Sequence, residues 1–283
     1  MHLLATRPGG LVDDSGGLIR IEQDPADIVI LSAADTTLAL LSAACQKLSG
    51  DFPSVRLCNL LYLRQSATID LYIDEVLRHA RLIIVDHLGG ESYWPYGTEQ
   101  LVQLARGNSS SATGAQQTLI MFSGDRSEDI NLLSRSTATP EQCRELWRYL
   151  REGGPVNAQQ FFHFIGARFF EKKLEVLPPR ALPEIAIWHP QHGVATIDDW
   201  KISWNRQWPV VAVIFYRAHL QAGNTAVFDT LCEALSKHHL NPLPVALTSL
   251  KDPLCMATLQ QLCADHHARL ALNTTAFCVA AIH

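Results

Sequence analysis

Two groups of polar and aromatic side chains in this chain each follow an apolar run, and both carry groups able to bind a ligand and move protons. After Val210–Phe215 come Tyr216, Arg217, His219 and Asn224. A neutral imidazole at His219 can accept a proton or ligate a divalent cation. The Arg217 guanidinium can grip a carboxylate with two parallel N–H groups, and the Asn224 amide can both donate and accept. After Leu82–Val85 come His87, Gly89, Gly90, Glu91, Tyr93 and Trp94, where His87 and Glu91 can do similar work beside aromatic rings. A third group, Cys255, Cys263, His266 and His267, places Cys263 and His266 on one helix face, and three or four such ligands can hold zinc or cobalt tetrahedrally. Each group also has a purely structural reading. Arg217 and His219 can hydrogen-bond their own loop, Asn224 can cap the next helix, Gly89–Gly90 can supply backbone freedom, and Cys263 continues an apolar face.

The elements that must position these groups follow from apolar periodicity. Asp27–Ser32, Val55–Leu61, Leu82–Val85 and Thr118–Phe122 have the short apolar character of strands covered on both faces. Between them, Leu38, Leu41, Ala44, Cys45 and Leu48, then Ile69, Ile73, Val76, Leu77 and Ala80, recur at three- and four-residue intervals, and Thr98–Arg106 supplies a third helix. Strands alternating with helices predict a parallel sheet whose ligands bind beyond the carboxyl ends of the strands, where both polar groups fall. Gly107–Gln117 reads as a mobile connection. Thr139 before Pro140 predicts a capped helix ending at Gly153–Gly154, and Phe161, Phe162, Phe164, Ile165 and Phe169 face a second helix, giving a hairpin packed on the first sheet. Trp200, Trp204 and Trp208, four residues apart, predict a short helix packed on its own domain in preference to a cofactor-stacking stripe. A second α/β unit runs from Pro209 through strands at Val210–Phe215, Leu243–Leu247 and Ala268–Leu272, a sheet of about three strands that reads as incomplete. The expected organisation is a first α/β domain over 1–138, the hairpin over 139–176, a Pro- and Trp-rich linker over 177–208, and the start of a second α/β domain over 209–283.

The balance of 23 Lys and Arg against 28 Asp and Glu lacks the basic field of a nucleic-acid binder. No apolar run approaches the roughly 18 residues of a membrane span, and the amino terminus shows no secretory pattern, so the expected location is the cytoplasm. Seven cysteines without a Cys-x-x-Cys pair fit buried thiols better than a zinc ribbon or redox motif. Neither a Gly-x-x-x-x-Gly-Lys-Ser/Thr phosphate loop nor a Gly-x-Ser-x-Gly turn occurs, so the chain is not expected to hydrolyse ATP.

Several ordered segments resemble the large subunit of the cobaltochelatase and magnesium-chelatase family. They are PADIVILSAADT at Pro25–Thr36, VRLCNLLYL at Val55–Leu63, IDLYIDEVL at Ile69–Leu77, LGGESYWPYG at Leu88–Gly97, and LWRYLREGGPVNAQQFFHFI at Leu146–Ile165. Arg217-Ala218-His219, Gly223-Asn224 and Asn241-Pro242-Leu243-Pro244 follow in the family's order. The resemblance implies a Rossmann- or flavodoxin-like fold from the amino-terminal portion of a much longer protein. It also implies insertion of Co2+ into hydrogenobyrinic acid a,c-diamide during cobalamin synthesis. ATP and Mg2+ would act through an AAA-type ATPase subunit and a second small subunit, without binding this chain. In that setting His219 is the candidate proton acceptor, and Arg217, Asn224, Tyr216, Glu91, Tyr93 and Trp94 are candidates for the macrocycle. His219, His87, Cys263 and His266 are candidates for the metal. The chain alone is expected to be inactive, and the alternative is a short tetrapyrrole- or cobalt-binding assembly module without catalysis.

Overall fold

A computed structural model describes residues 20–107 and 117–275. The glycine-rich start, most of the Gly107–Gln117 connection, Cys278 and the closing Ile282–His283 lie outside the described residues. The chain divides into two compact units, Met1–Arg180 and Ala181–His283.

In the first unit four strands, β1 (Ile28–Ser32), β2 (Val55–Asn59), β3 (Leu82–His87) and β4 (Thr118–Ser123), form a wholly parallel sheet in the order β2-β1-β3-β4. The strands alternate with α1 (Asp35–Cys45), α2 (Ser66–Glu75) and α3 (Pro95–Gly107). Period-two alternation sends Val29, Leu31, Ile83, Val85, Leu119 and Met121 to the face covered by α2 and α3. Ile28, Ile30, Leu82, Ile84, Ile120 and Phe122 go to the opposite face. That face is covered by α1 and by two further helices, α5 (Pro140–Glu152) and α6 (Gly154–Phe169), which follow the short α4 (Ile130–Arg135). The expected hairpin therefore packs on the first sheet as part of the first unit.

Its start is built as the sequence predicts. Thr139 Oγ1 accepts from the Gln142 amide at 3.3 Å, while the Gln142 side chain accepts from the Thr139 amide at 3.1 Å. Gly153, at φ +67°, turns the chain directly into α6. Phe161 and Phe162 are fully buried, each worth about 1.5–3 kcal/mol of burial.

The second unit departs from the expected three strands. Its sheet has five, in the order β6-β5-β8-β7-β9: β5 (Ile185–His189), β6 (Gly193–Ala195), β7 (Val210–Tyr216), β8 (Asn241–Leu247) and β9 (Ala268–Asn273). Strands β7, β8 and β9 are parallel, whereas β5 runs antiparallel to both β6 and β8. The two additional strands and α7 (Ile197–Lys201) come from the stretch read as a linker, where prolines and tryptophans hide a hairpin too short for a periodic signal. Helix α9 (Ala226–Lys237) covers one face through Phe228 and Leu235. Helix α10 (Pro253–Asp265) covers the other through Cys255 and Leu259. The three tryptophans do pack within their unit, but not as one helical stripe. Trp200 Nε1 donates to Trp188 O at 2.7 Å, Trp204 Nε1 donates to Pro242 O at 3.0 Å, and Trp208 lies 4.7 Å from the His239 ring. Among the described residues no helix is long and apolar enough to cross a membrane.

Both units thus share one plan. In each, the chain steps from a central strand to one neighbour and returns to the other side of the first, giving β2-β1-β3 and β8-β7-β9. Such a reversal leaves a crevice at the carboxyl ends of the strands.

Candidate functional site

At the reversal point of the first sheet, the ends of β1 and β3 meet through a buried polar chain. Ser32 Oγ donates to Asp86 Oδ2 at 2.8 Å, and Arg151 of α5 donates to Asp86 Oδ1 at 2.8 Å. The two charged side chains are 2% and 10% exposed. Arg151 also donates to Gly124 O, and Trp147 Nε1 donates to Ser123 O at 2.9 Å, so α5 is pinned to the ends of β3 and β4.

The next residue on β3 is His87. It is 1% exposed, and neither ring nitrogen has a hydrogen-bond partner. Burial pushes its pKa below the ordinary histidine value, against the opposing pull of Asp86, the nearby Leu88 backbone, Asp129 and Glu91, and so favours the neutral imidazole. A buried polar group without a partner is costly and rare, which makes His87 the exceptional residue of this edge. Thr98 Oγ1 is likewise buried and unpartnered.

The turn above His87 is Gly89–Gly90, at φ +91° and +75°, followed by a single 3-10 turn over Glu91–Tyr93. The Tyr93 ring stands edge-on to His87 at 6.3 Å and the Trp94 indole is tilted against it at 6.2 Å. Glu91 is held by Arg135 at 2.5 Å. Trp94 is buried, and its Nε1 donates to Leu63 O at 2.5 Å. Helix α3 begins against the face of that indole, since a Cβ on Gly97 would lie 2.1 Å from its atoms. On the outer side of Tyr93 and Trp94 a cavity of about 290 Å³ opens, walled also by Leu60, Leu61, Ile69 and Tyr96 and bearing Arg64 as its charged residue. Tyr93 is 56% exposed at its mouth.

Sequence reasoning found His87, Glu91, Tyr93 and Trp94 here but missed Arg64, Tyr96, Ser32 and Arg151. Arg64 lies just past β2, where the same polar-after-strand signal applies. Arg151 sits in an amphipathic helix and carries no local mark of its destination.

The second edge is built differently. Val210–Tyr216 is a strand as expected, but Arg217–Gln221 forms a short helix, α8, where a loop was expected. Arg217 is buried and donates through Nε to Pro183 O at 2.9 Å and through a terminal nitrogen to Leu182 O at 2.6 Å. His219 packs its ring 4.9 Å from Phe228 and 6.4 Å from Phe215, and burial lowers its pKa. Tyr216 closes β7, half-buried, while the exposed Asn224 donates its backbone N–H to His219 O at 2.9 Å. Helix α9 is preceded by Thr225, not capped by Asn224.

The cysteine and histidine group does not assemble. Cys263 lies at the margin of the α10 core and His266 stands against Trp204 at 6.0 Å. Among the described residues no group of three His, Cys, Asp or Glu side chains is placed to hold a metal ion.

Residues 147–283 match the family model described as CobN/Magnesium Chelatase. The Aerobic cobaltochelatase subunit CobN of Pseudomonas aeruginosa is 44% identical over 98% of this chain. Residues 147–283 are a domain of the CobN/magnesium-chelatase family. A second relative, the Aerobic cobaltochelatase subunit CobN of a Sinorhizobium species, is 32% identical over 99% of the chain. The chain spans 22% of the length of each of these CobN subunits. Its fold also matches the solved structure titled Catalytic Subunit of Cobaltochelatase from Mycobacterium tuberculosis. There the TM-score is 0.58 at 24% identity, covering 82% of this chain and 17% of that one. That likeness bears out the α/β architecture expected from the sequence.

Proposed function

We propose that this chain is the amino-terminal portion of a cobaltochelatase large subunit and contributes to it a tetrapyrrole-binding surface at the first sheet edge. The observation that carries this reading is the cavity of about 290 Å³ between Tyr93, Trp94 and Tyr96 at the reversal point of a parallel sheet. Its aromatic walls suit a flat conjugated ring. In the complete reaction the four nitrogens of hydrogenobyrinic acid a,c-diamide bind Co2+ and inner N–H protons are displaced, so a base must accept each proton that leaves. The macrocycle supplies the in-plane nitrogens, and for that reason a site of three protein ligands is not required of this chain.

A neutral imidazole is the form that accepts a proton, and burial favours that form at both His87 and His219. The energy of insertion would come from an AAA-type ATPase subunit acting with a second small subunit, ATP and Mg2+ being bound there.

Titration of the purified chain with metal-free corrinoid, followed by absorbance, tests the reading. A saturable spectral shift without cobalt insertion is expected for the chain alone, and ATP-dependent insertion once the rest of the large subunit and both partners are supplied. Absence of any response to the corrinoid would remove the substrate surface from this chain.

A further inference from the structure

The charge and size of the cleft narrow what it can recognise. Arg64 is exposed and has no hydrogen-bond or ion-pair partner among the described residues, whereas the Tyr96 hydroxyl and the Trp94 N–H of the same lining are committed. Both Asp70 carboxylate oxygens accept from the Tyr96 hydroxyl, at 2.8 and 3.0 Å. Glu91 is paired with Arg135, and the Trp94 N–H is used on Leu63 O. Arg64 is thus the one charged group of the lining left without a counter-charge.

The space is about 290 Å³, at the bottom of the roughly 300–1,000 Å³ that drug-sized ligands occupy, so it admits one substituted ring and not a four-ring macrocycle. We propose that the cleft is a carboxylate-reading subsite, in which one peripheral ring of the ligand lies against Tyr93 and Trp94 while its ionised acid side chain pairs with the Arg64 guanidinium. The planar fork of arginine matches a carboxylate through two N–H donors, and aromatic walls on either side reduce the screening of the pair. An amide or ester in the same position offers no charge, so Arg64 discriminates among macrocycles by the state of that side chain.

This inference rests on the tetrapyrrole reading, and its test separates the two. Two metal-free macrocycles with the same core, one with ionised acid side chains and one with those acids as methyl esters, are titrated against the wild-type chain, Arg64→Ala and Arg64→Lys. The wild type is expected to prefer the acid form by about five- to tenfold, the scale of a partly shielded charge pair. Arg64→Ala abolishes that preference without weakening binding of the ester, and Arg64→Lys retains part of it. Raised salt reduces the preference in the wild type only. Urea midpoints within error of each other confirm that the exposed substitution leaves the fold intact. If Arg64→Ala keeps the acid-over-ester ratio, the arginine subsite is wrong while the binding surface stands. If neither macrocycle binds the wild type, both readings fall.

Discussion

The two sheet edges share a strand plan and are furnished with much the same residue types, yet they dispose of their polar groups in opposite ways. At the second edge the arginine is spent on two backbone carbonyls and the histidine is packed against the stacked rings of Phe215 and Phe228. At the first edge one arginine is spent on Asp86, but the buried His87 and Thr98 find no side-chain partner and Arg64 stands free on the wall of a cavity. Residue type and position after a strand mark both edges equally. What separates the two arginines is hydrogen-bond satisfaction: Arg217 has found partners within the fold and is structural, whereas Arg64 has none and is available to a ligand.

The contrast can be attacked from its strongest point. Arg151→Met removes the partner of a buried carboxylate that then retains only Ser32, and the expected loss is about 3–5 kcal/mol, read by urea denaturation of the first unit. At the second edge, Arg217→Met strands two carbonyls and is expected to cost about 2–4 kcal/mol while leaving macrocycle affinity unchanged. Lost binding in a chain that remains folded would move the site to that edge. Gly97→Ala pushes a methyl into the Trp94 indole and is expected to cost about 1–3 kcal/mol, with weakened macrocycle binding because the cavity wall shifts.

The fourth test uses acid. Because His87 is held below its ordinary pKa, the unfolded chain gains a proton below about pH 6.5 that the native chain does not, so stability falls as the pH drops through that region. His87→Leu should lie within about 1 kcal/mol of wild type at pH 7.5, since it removes an unsatisfied group, and should lose less stability on going to pH 5.5. Equal pH slopes in the two proteins would show that the imidazole is not withheld from protons. The smallest effect belongs to His219→Phe, expected within about 1 kcal/mol of wild type because one ring replaces another against the stacked Phe215 and Phe228, with binding unaffected.

Much of the first unit is legible in the sequence because its signals are local. Ile28, Ile30, Val29 and Leu31 divide cleanly between two faces, and Thr139-Pro140 announces a helix whose capping box is present in the structure. The β5–β6 hairpin is not legible, since Ile185–Ile187 pairs with Val245–Leu247 of a strand far along the chain and the local pairing with β6 spans only three residues, Ile187–His189. The site divides in the same manner. Tyr93, Trp94 and His87 lie within one turn of each other and can be read together. The Asp86–Arg151 pair and the approach of Arg64 to Tyr96 depend on tertiary closure. No spacing rule tells a satisfied arginine such as Arg217 from an unsatisfied one such as Arg64, because the distinction lies in carbonyls supplied by Leu182 and Pro183, more than thirty residues away.

The Asp86–Arg151 bond spans 65 residues of chain and carries a further consequence for synthesis. At the roughly 5–20 residues per second of translation, several seconds separate the emergence of the carboxylate from that of its guanidinium. Throughout that interval Asp86 must stay hydrated, so the end of β3 cannot close as it does in the finished fold. The first sheet edge therefore reaches its final form only after α5 has left the ribosome, and a nascent chain paused before Arg151 would present that edge open and wet.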